Sequence, residues 1–272
     1  MAHFREVETN ISREYGLVTG GSFVNFRSEK AEIVIAETKM FGPMLFMDGV
    51  LQLATFDEYI YHEMLVHPVM STVDSPKRIC VLGGADGCAL REVLRYSSVE
   101  HVDLVDWDTK LIEYLKENGN MWHQGSLHDP RVHIHNLNVK DFVSSEKYDV
   151  VIVDLFDPEY SDFNPGNFWS TLLPILQVFR DKGASVVING GGILPWKIGT
   201  FERLYISVAT LSPQIMIPYK VFVPSFAEEW GFILLSNKMP ATIDHLNYRY
   251  CSRNTFTKAC IWEKPYKVFS KN

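Results

Sequence analysis

Between Arg78 and Asn189 short apolar runs alternate with helix-like stretches, and this alternation restricts the fold more than any other feature. "RICVLG", "HVDLVD", "RVHIHNL", "YDVVIVD" and "ASVVIN" read as strands. "ALREVLRY", "KLIEYLKENG" and "NFWSTLLPILQVFRD" read as helices. A continuous apolar run marks a strand covered on both faces. Strand and helix in alternation predict an α/β protein with a parallel, doubly wound sheet of the Rossmann-like kind.

The part before it differs. "AEIVIAETKMFGPMLFMDGVLQL" alternates apolar and polar residues and carries turn signals at Gly42-Pro43 and Asp48-Gly49. It reads as a small antiparallel β unit, which sets a boundary: residues 1–55 as an N-terminal β-strand domain, residues 56–272 as the larger domain. In "TFDEYIYHEMLVHP", Thr55 and Glu58 have capping-box spacing, and Pro68 is expected to end the helix near His67. With 272 residues, 46% of them hydrophobic, the chain can bury a sizeable core.

A net charge of −7 disfavours a general nucleic-acid binder, which needs a basic face. Four cysteines, none in a C-x-x-C pair, predict neither a zinc ribbon nor a disulfide scaffold; reduced thiols suit a cytoplasmic protein. The charged "MAHFREVETN" does not read as a signal peptide, and no apolar run of about 18 residues is present to span a membrane. The sequon at Asn10 then reads as chance.

Chemistry concentrates at the strand ends. In "VLGGADGC", Gly83, Gly84 and Gly87 permit a tight turn and close approach of a ligand. Asp86 in that turn would repel a pyrophosphate, so a nucleoside with a cationic tail fits better than a dinucleotide. Asp106 ends the next strand, about 20 residues on, where an acid commonly takes ribose hydroxyls; the alternative is a helix cap. Together these predict an S-adenosyl nucleoside and a methyltransferase-like core. Asp154 ends "YDVVIVD", at the sheet edge where ligands bind in open α/β folds, and Asp157 follows in the loop. No Lys or Arg occurs between Tyr148 and Arg180, so a polycationic ligand would supply the missing charge. With no His or Cys nearby in sequence, no metal is expected there.

These segments resemble the polyamine aminopropyltransferases, the spermidine synthase family. "LFMDGVLQLATFDEYIYHEM", "VLGGADGCALREVL", "DVVIVDLFDP" and "VPSFAEEWGFIL" carry the resemblance, over roughly residues 41–237. "DLFDP" and "VPSFAEEWGF" look like thermospermine synthases, and "MWHQGSLHDPR" like thermophile enzymes acting on agmatine or triamines. The resemblance implies transfer of an aminopropyl group from decarboxylated S-adenosylmethionine to an amine, with release of methylthioadenosine. Putrescine, giving spermidine, is the first expectation for the acceptor; agmatine or a triamine are others. It implies no cofactor, small-molecule partners, and a homodimer or homotetramer.

By the same resemblance Asp154 is the proton acceptor. His62, Asp86, Asp106, Asn138, Gly83 and Gly84 bind the donor. Tyr61, Asp157, Gln52, Phe226 and Glu229 line the acceptor site, with Glu228 or Glu229 offered to a distal ammonium. Three departures stand out: Ala31 replaces a family Gln, Phe226 replaces a Tyr, and "EYSDFNPGN" replaces the loop after Pro158. Two rival readings follow from the same residues. One is an S-adenosylmethionine-dependent amine N-methyltransferase, disfavoured by Asp86 facing the donor tail. The other is a non-catalytic polyamine-binding relative.

Overall fold

A computed structural model describes residues 2–8, 11–194, 197–241, 243, 246–260 and 269–270. Asn10 and its sequon lie outside the described residues.

The chain opens with a hairpin, β1 (His3–Glu8) and β2 (Ile11–Gly16), then a four-stranded antiparallel sheet in chain order: β3 (Phe23–Arg27), β4 (Glu32–Thr38), β5 (Gly42–Met47) and β6 (Val50–Ala54). Asp48 and Gly49, with φ of 47° and 80°, make the tight β5–β6 turn. Gly42-Pro43 is not a turn; it begins β5.

Next comes α1 (Glu58–Met70), and then the alternating region: β7 (Arg78–Gly83), α2 (Cys88–Leu94), β8 (His101–Asp106), α3 (Thr109–Asn118), α4 (Asn120–His123), β9 (Val132–Asn136), β10 (Val150–Asp154), α5 (Phe168–Asp181), β11 (Ser185–Gly192) and α6 (Ile198–Ala209). The chain continues through β12 (Ile215–Val223), β13 (Glu228–Ser236), α7 (Arg253–Ala259) and β14 (Phe269–Ser270). The large sheet has eight strands in the order β14-β12-β13-β11-β10-β7-β8-β9. The five strands read from sequence pair in parallel, as expected. Beyond β11 the sheet turns antiparallel, because β12 and β13 are joined by only a short turn, Pro224–Phe226, and a tight connection can only reverse the chain. Helices cover both faces. One core runs from Ile33 and Phe46 of the small sheet through α1 to Val81 and Ile152; a second packs Leu172 of α5 and Phe201 of α6 under Val151 and Ile188. Among the described residues no helix is long and apolar enough to cross a membrane.

The helix α1 departs twice from its sequence reading. Its N-cap is Asp57, and Thr55 instead donates its hydroxyl to Pro43 O at 2.9 Å. Pro68 sits inside the helix rather than ending it. A proline there removes the N–H that would satisfy Met64 O. Tyr219 of β12 fills the gap, its hydroxyl donating to Met64 O at 2.8 Å. Every residue of α1 but Tyr59 is buried, so its charged side chains need partners. Glu63 accepts the backbone N–H groups of Arg249, Tyr250 and Cys251 at 2.7–2.8 Å, fixing the segment before α7 against the helix.

Candidate active site

Strand order reverses between β10 and β7, with β11 outside one and β8 outside the other. Open α/β sheets bind ligands in the crevice beyond such a switch point. Asp154 and Gly83, the paired last residues of β10 and β7, stand at its floor. A cavity of about 1200 Å³ opens above them. His62, Gly83, Gly84, Asp86, Asp106 and Asn138 border it on the side expected for the donor. Gln52, Tyr61, Asp154, Asp157 and Phe226 border it as well. All but two of the residues read from sequence thus share one space. The exceptions are Glu228 and Glu229, neither of which is in the cavity wall: Glu228 is buried against Gly192 and pairs with Lys197, while the Glu229 side chain alternates away from Trp230 on β13 and pairs with Lys220 of the neighbouring strand.

The glycines are required by contact. Gly83 has φ +83°, and a Cβ there would lie 2.1 Å from Asp154 O. One on Gly84 would lie 3.2 Å from Asp154 Oδ2. Bare backbone at these positions lets the turn after β7 press against the acid. Asp86 Oδ1 accepts Cys88 N–H at 2.7 Å, holding its carboxylate at the start of α2. Asp106 is not the cap of α3. Asp108 is, accepting Leu111 N–H at 3.1 Å, while Asp106 faces the cavity and accepts Asp108 N–H at 2.9 Å. Asn138 Oδ1 accepts Lys140 N–H at 3.0 Å and keeps a second lone pair.

The acids are not without protein counterions, as the sequence had suggested. His62 comes from α1 with Nδ1 3.0 Å from Glu58 Oε2 and Nε2 3.6 Å from Asp86 Oδ1. Burial alone would lower its pKa. The Glu58 hydrogen bond and the charges of Asp86 and Glu58 win, and lift it to about 9. Glu58 is held ionised against its own burial by His62 and by Arg91, 2.8 Å away. Lys30, Lys140 and Lys197 also border the cavity. The spacing argument failed because each of these cations arrives from another segment.

Asp154 Oδ1 accepts the Tyr61 hydroxyl at 2.6 Å. Burial raises its pKa to about 6; the charge of His62 opposes that rise and the charges of Asp86 and Asp106 add to it. Burial also raises Asp106 to about 6. Tyr61 is pushed far above 10 by burial and by the charge of Asp154, so it remains a donor. Ligand atoms of His62, Asp86 and Asp154 lie within 4.8 Å of one another, as do those of Glu58, His62 and Cys88. Both sets depend on His62. In the structure that ring is held between the Glu58 and Asp86 carboxylates.

Two further residues border the cavity beside Asp157. Asn189, at the β11 bulge, donates to Leu155 O at 2.9 Å and to Asp157 Oδ1 at 3.4 Å, and accepts Trp230 Nε1–H at 2.8 Å. It orients the loop that carries Asp157. Trp230 packs with its ring 4.6 Å from the Phe226 ring and also borders the cavity. The substituted loop after Pro158 folds into a short 3-10 turn, Tyr160–Phe163, closed by Glu159 N–H on Asp162 Oδ2 at 2.8 Å. Ala31 borders the cavity with no polar side-chain atom to offer.

Residues 58–246 match the family model described as the spermine/spermidine synthase domain. A polyamine aminopropyltransferase of Sulfolobus acidocaldarius is 38% identical over 221 residues, 78% of this chain and 70% of the relative. Polyamine aminopropyltransferase 2 of Bacillus anthracis is 37% identical over 72% of this chain; the match spans about half, 54%, of that longer protein. The fold is shared with a crystal structure of spermidine synthase in complex with the transition-state analogue AdoDATO, at a TM-score of 0.81 and 23% identity, covering 95% of this chain and 91% of that one. With the domain matched over more than half of its length, this chain belongs to the spermine/spermidine synthase family.

Proposed function

We propose that this chain, an aminopropyltransferase by family, moves the aminopropyl group of decarboxylated S-adenosylmethionine to putrescine, with Asp154 as the proton acceptor. The observation that carries the reading is the Tyr61–Asp154 pair at the switch point, 2.6 Å apart and surrounded by Asp86, Asp106 and Asp157. An alkyl ammonium with a pKa near 10.4 must lose a proton before its nitrogen can attack. A carboxylate raised to about 6 takes that proton more readily than one at its ordinary value, and it is still ionised at neutral pH. The freed lone pair attacks the carbon next to the sulfonium. A C–N bond forms as the C–S bond breaks, and the pair returns to sulfur, giving methylthioadenosine and a secondary ammonium. Asp86 faces the donor's primary ammonium and Asp106 the ribose. Asp157 holds the acceptor's second ammonium, its loop steadied by Asn189. No proton need reach the sulfonium, already a good leaving group; the site's work is orientation and deprotonation.

The test is Asp154→Asn with decarboxylated donor and putrescine. Turnover should vanish while donor binding, read by calorimetry, persists. Wild type given putrescine with intact S-adenosylmethionine and, separately, with the decarboxylated donor separates the rival chemistry: S-adenosylhomocysteine released from the intact donor, with no methylthioadenosine from the decarboxylated one, would make the chain a methyltransferase.

A further inference from the structure

Beyond Asp157 the cavity runs along the end of β11, which finishes in three glycines, Gly190 to Gly192. A Cβ on Gly191 would stand 3.5 Å from Cβ of Asp157, and one on Gly192 would stand 2.7 Å from the Glu228 carboxylate. Glu228 thus packs against the glycine end of β11, where the cavity ends beyond Asp157. Glu228 lies on the same face of β13 as Trp230, two residues on, and is 2% exposed. A buried carboxylate at the end of an amine site is what a distal ammonium would seek. Here a protein cation already has it. Lys197 Nζ lies 3.1 Å from Glu228 Oε1, with Arg13 Nη2 at 3.7 Å on the same oxygen. Lys197 also borders the cavity, its side chain 27% exposed.

We propose that Lys197 is a specificity-determining residue: its ammonium, docked on Glu228, occupies the place of the third ammonium of a triamine and restricts the acceptor site to diamines. The proposal rests on the aminopropyl-transfer reading and deepens it. Two ammonium groups facing one carboxylate repel, and a partly buried setting screens that repulsion little. The sequence offered Glu228 or Glu229 to a distal ammonium; the geometry gives Glu228 to Lys197 and points Glu229 to Lys220.

Wild type, Lys197→Met, Lys197→Arg and the double variant Lys197→Met/Glu228→Gln are compared with putrescine and with spermidine. Turnover is read as methylthioadenosine release with decarboxylated donor, and amine affinity by calorimetry. The expected ratio of diamine to triamine kcat/KM falls by about tenfold or more in Lys197→Met, a step of ~1.4 kcal/mol. Lys197→Arg keeps the wild-type ratio, and the double variant loses the gain because no carboxylate is left to receive the ammonium. A wild type that prefers the triamine overturns the proposal, as does a Lys197→Met ratio unchanged in both binding and turnover. Should Lys197→Met melt below the assay temperature, the wild-type preference and Lys197→Arg decide. A wild type that binds the diamine selectively yet releases no methylthioadenosine overturns the transfer reading and leaves the Lys197 assignment standing on the binding ratios.

Discussion

His62 and His67 lie on the same buried helix, each with a ring nitrogen 3.0 Å from a carboxylate, and they titrate in opposite directions. His62 is lifted to about 9, whereas His67 is lowered. Burial pushes both down, so burial does not separate them. What differs is the charge around each ring. His62 stands between Glu58 and Asp86, with Asp154 beyond. His67 has Glu92, but that carboxylate also receives Arg91 and Arg95 at 2.8 Å, and the other ring nitrogen meets the Tyr96 hydroxyl. On His67 the charge of Arg95 sides with burial against Glu92 and Glu63, whereas on His62 the acids Glu58, Asp86 and Asp154 all act together against burial. One end of α1 thus carries a cation into the cavity, and the other is a neutral polar staple beneath Tyr248, whose ring stacks on His67 at 3.7 Å.

The largest expected effect tests the cavity end. Asp154→Asn should lower kcat by about 10²–10⁴-fold, the usual worth of a general base, with donor affinity nearly intact in calorimetry. Retention of most of the rate would remove the base from this end of the comparison. Exchanging the two histidines for phenylalanine in turn sharpens it. His62→Phe should lose about 10–100-fold in kcat, since Asp86 and Asp154 lose their nearest cation. His67→Phe should leave kcat within about twofold and cost roughly 1–3 kcal/mol in denaturant melts, because Glu92 and Tyr96 lose a buried partner. Equal effects on activity would break the contrast.

The pH profile is the next test. Asp154 must be ionised to act, so kcat/KM should fall below about pH 6 with unit slope. Loss of the His62 charge should shift that limb upward. The last effect is in stability, roughly 3 kcal/mol at most for a shift of the size seen at His62, and has opposite signs at the two ends. His62 has a folded pKa raised from 6.5 to about 9; its contribution is fully present below about 6.5 and lost as pH rises through about 9. His67 has a lowered folded pKa, so its contribution is present above about 6.5 and lost as pH falls through the folded value. Melting curves of wild type against each phenylalanine variant should therefore diverge in opposite directions between pH 5 and 9.

Much of this was legible in the chain because it is local. Apolar runs and Gly-rich turns declare the parallel strands, and a ligand edge follows from strand polarity alone, which located Asp86, Asp106, Asp154 and Asp157. The charge state of the pocket was not legible. Asp86 reaches His62 from the turn before α2, and Lys197 meets Glu228 across 31 residues. No window of sequence contains such a pair. Glu229 was misassigned for a related reason. Neighbouring strand residues face opposite ways, and two adjacent acids leave the choice of face to the register with β12. Asn189 gave no signal beyond its place at a strand end.

The proline inside α1 has a mechanical consequence. A helix that lacks one of its own bonds, and takes the replacement from a tyrosine on the sheet beneath, is keyed like a shaft in its hub: it cannot spin or slip lengthwise without breaking that lock. Tyr61 and His62 lie on the turn before the key and inherit its alignment, so Tyr219→Phe, a change of one oxygen outside the cavity wall, should blur the aim of both cavity-facing neighbours together.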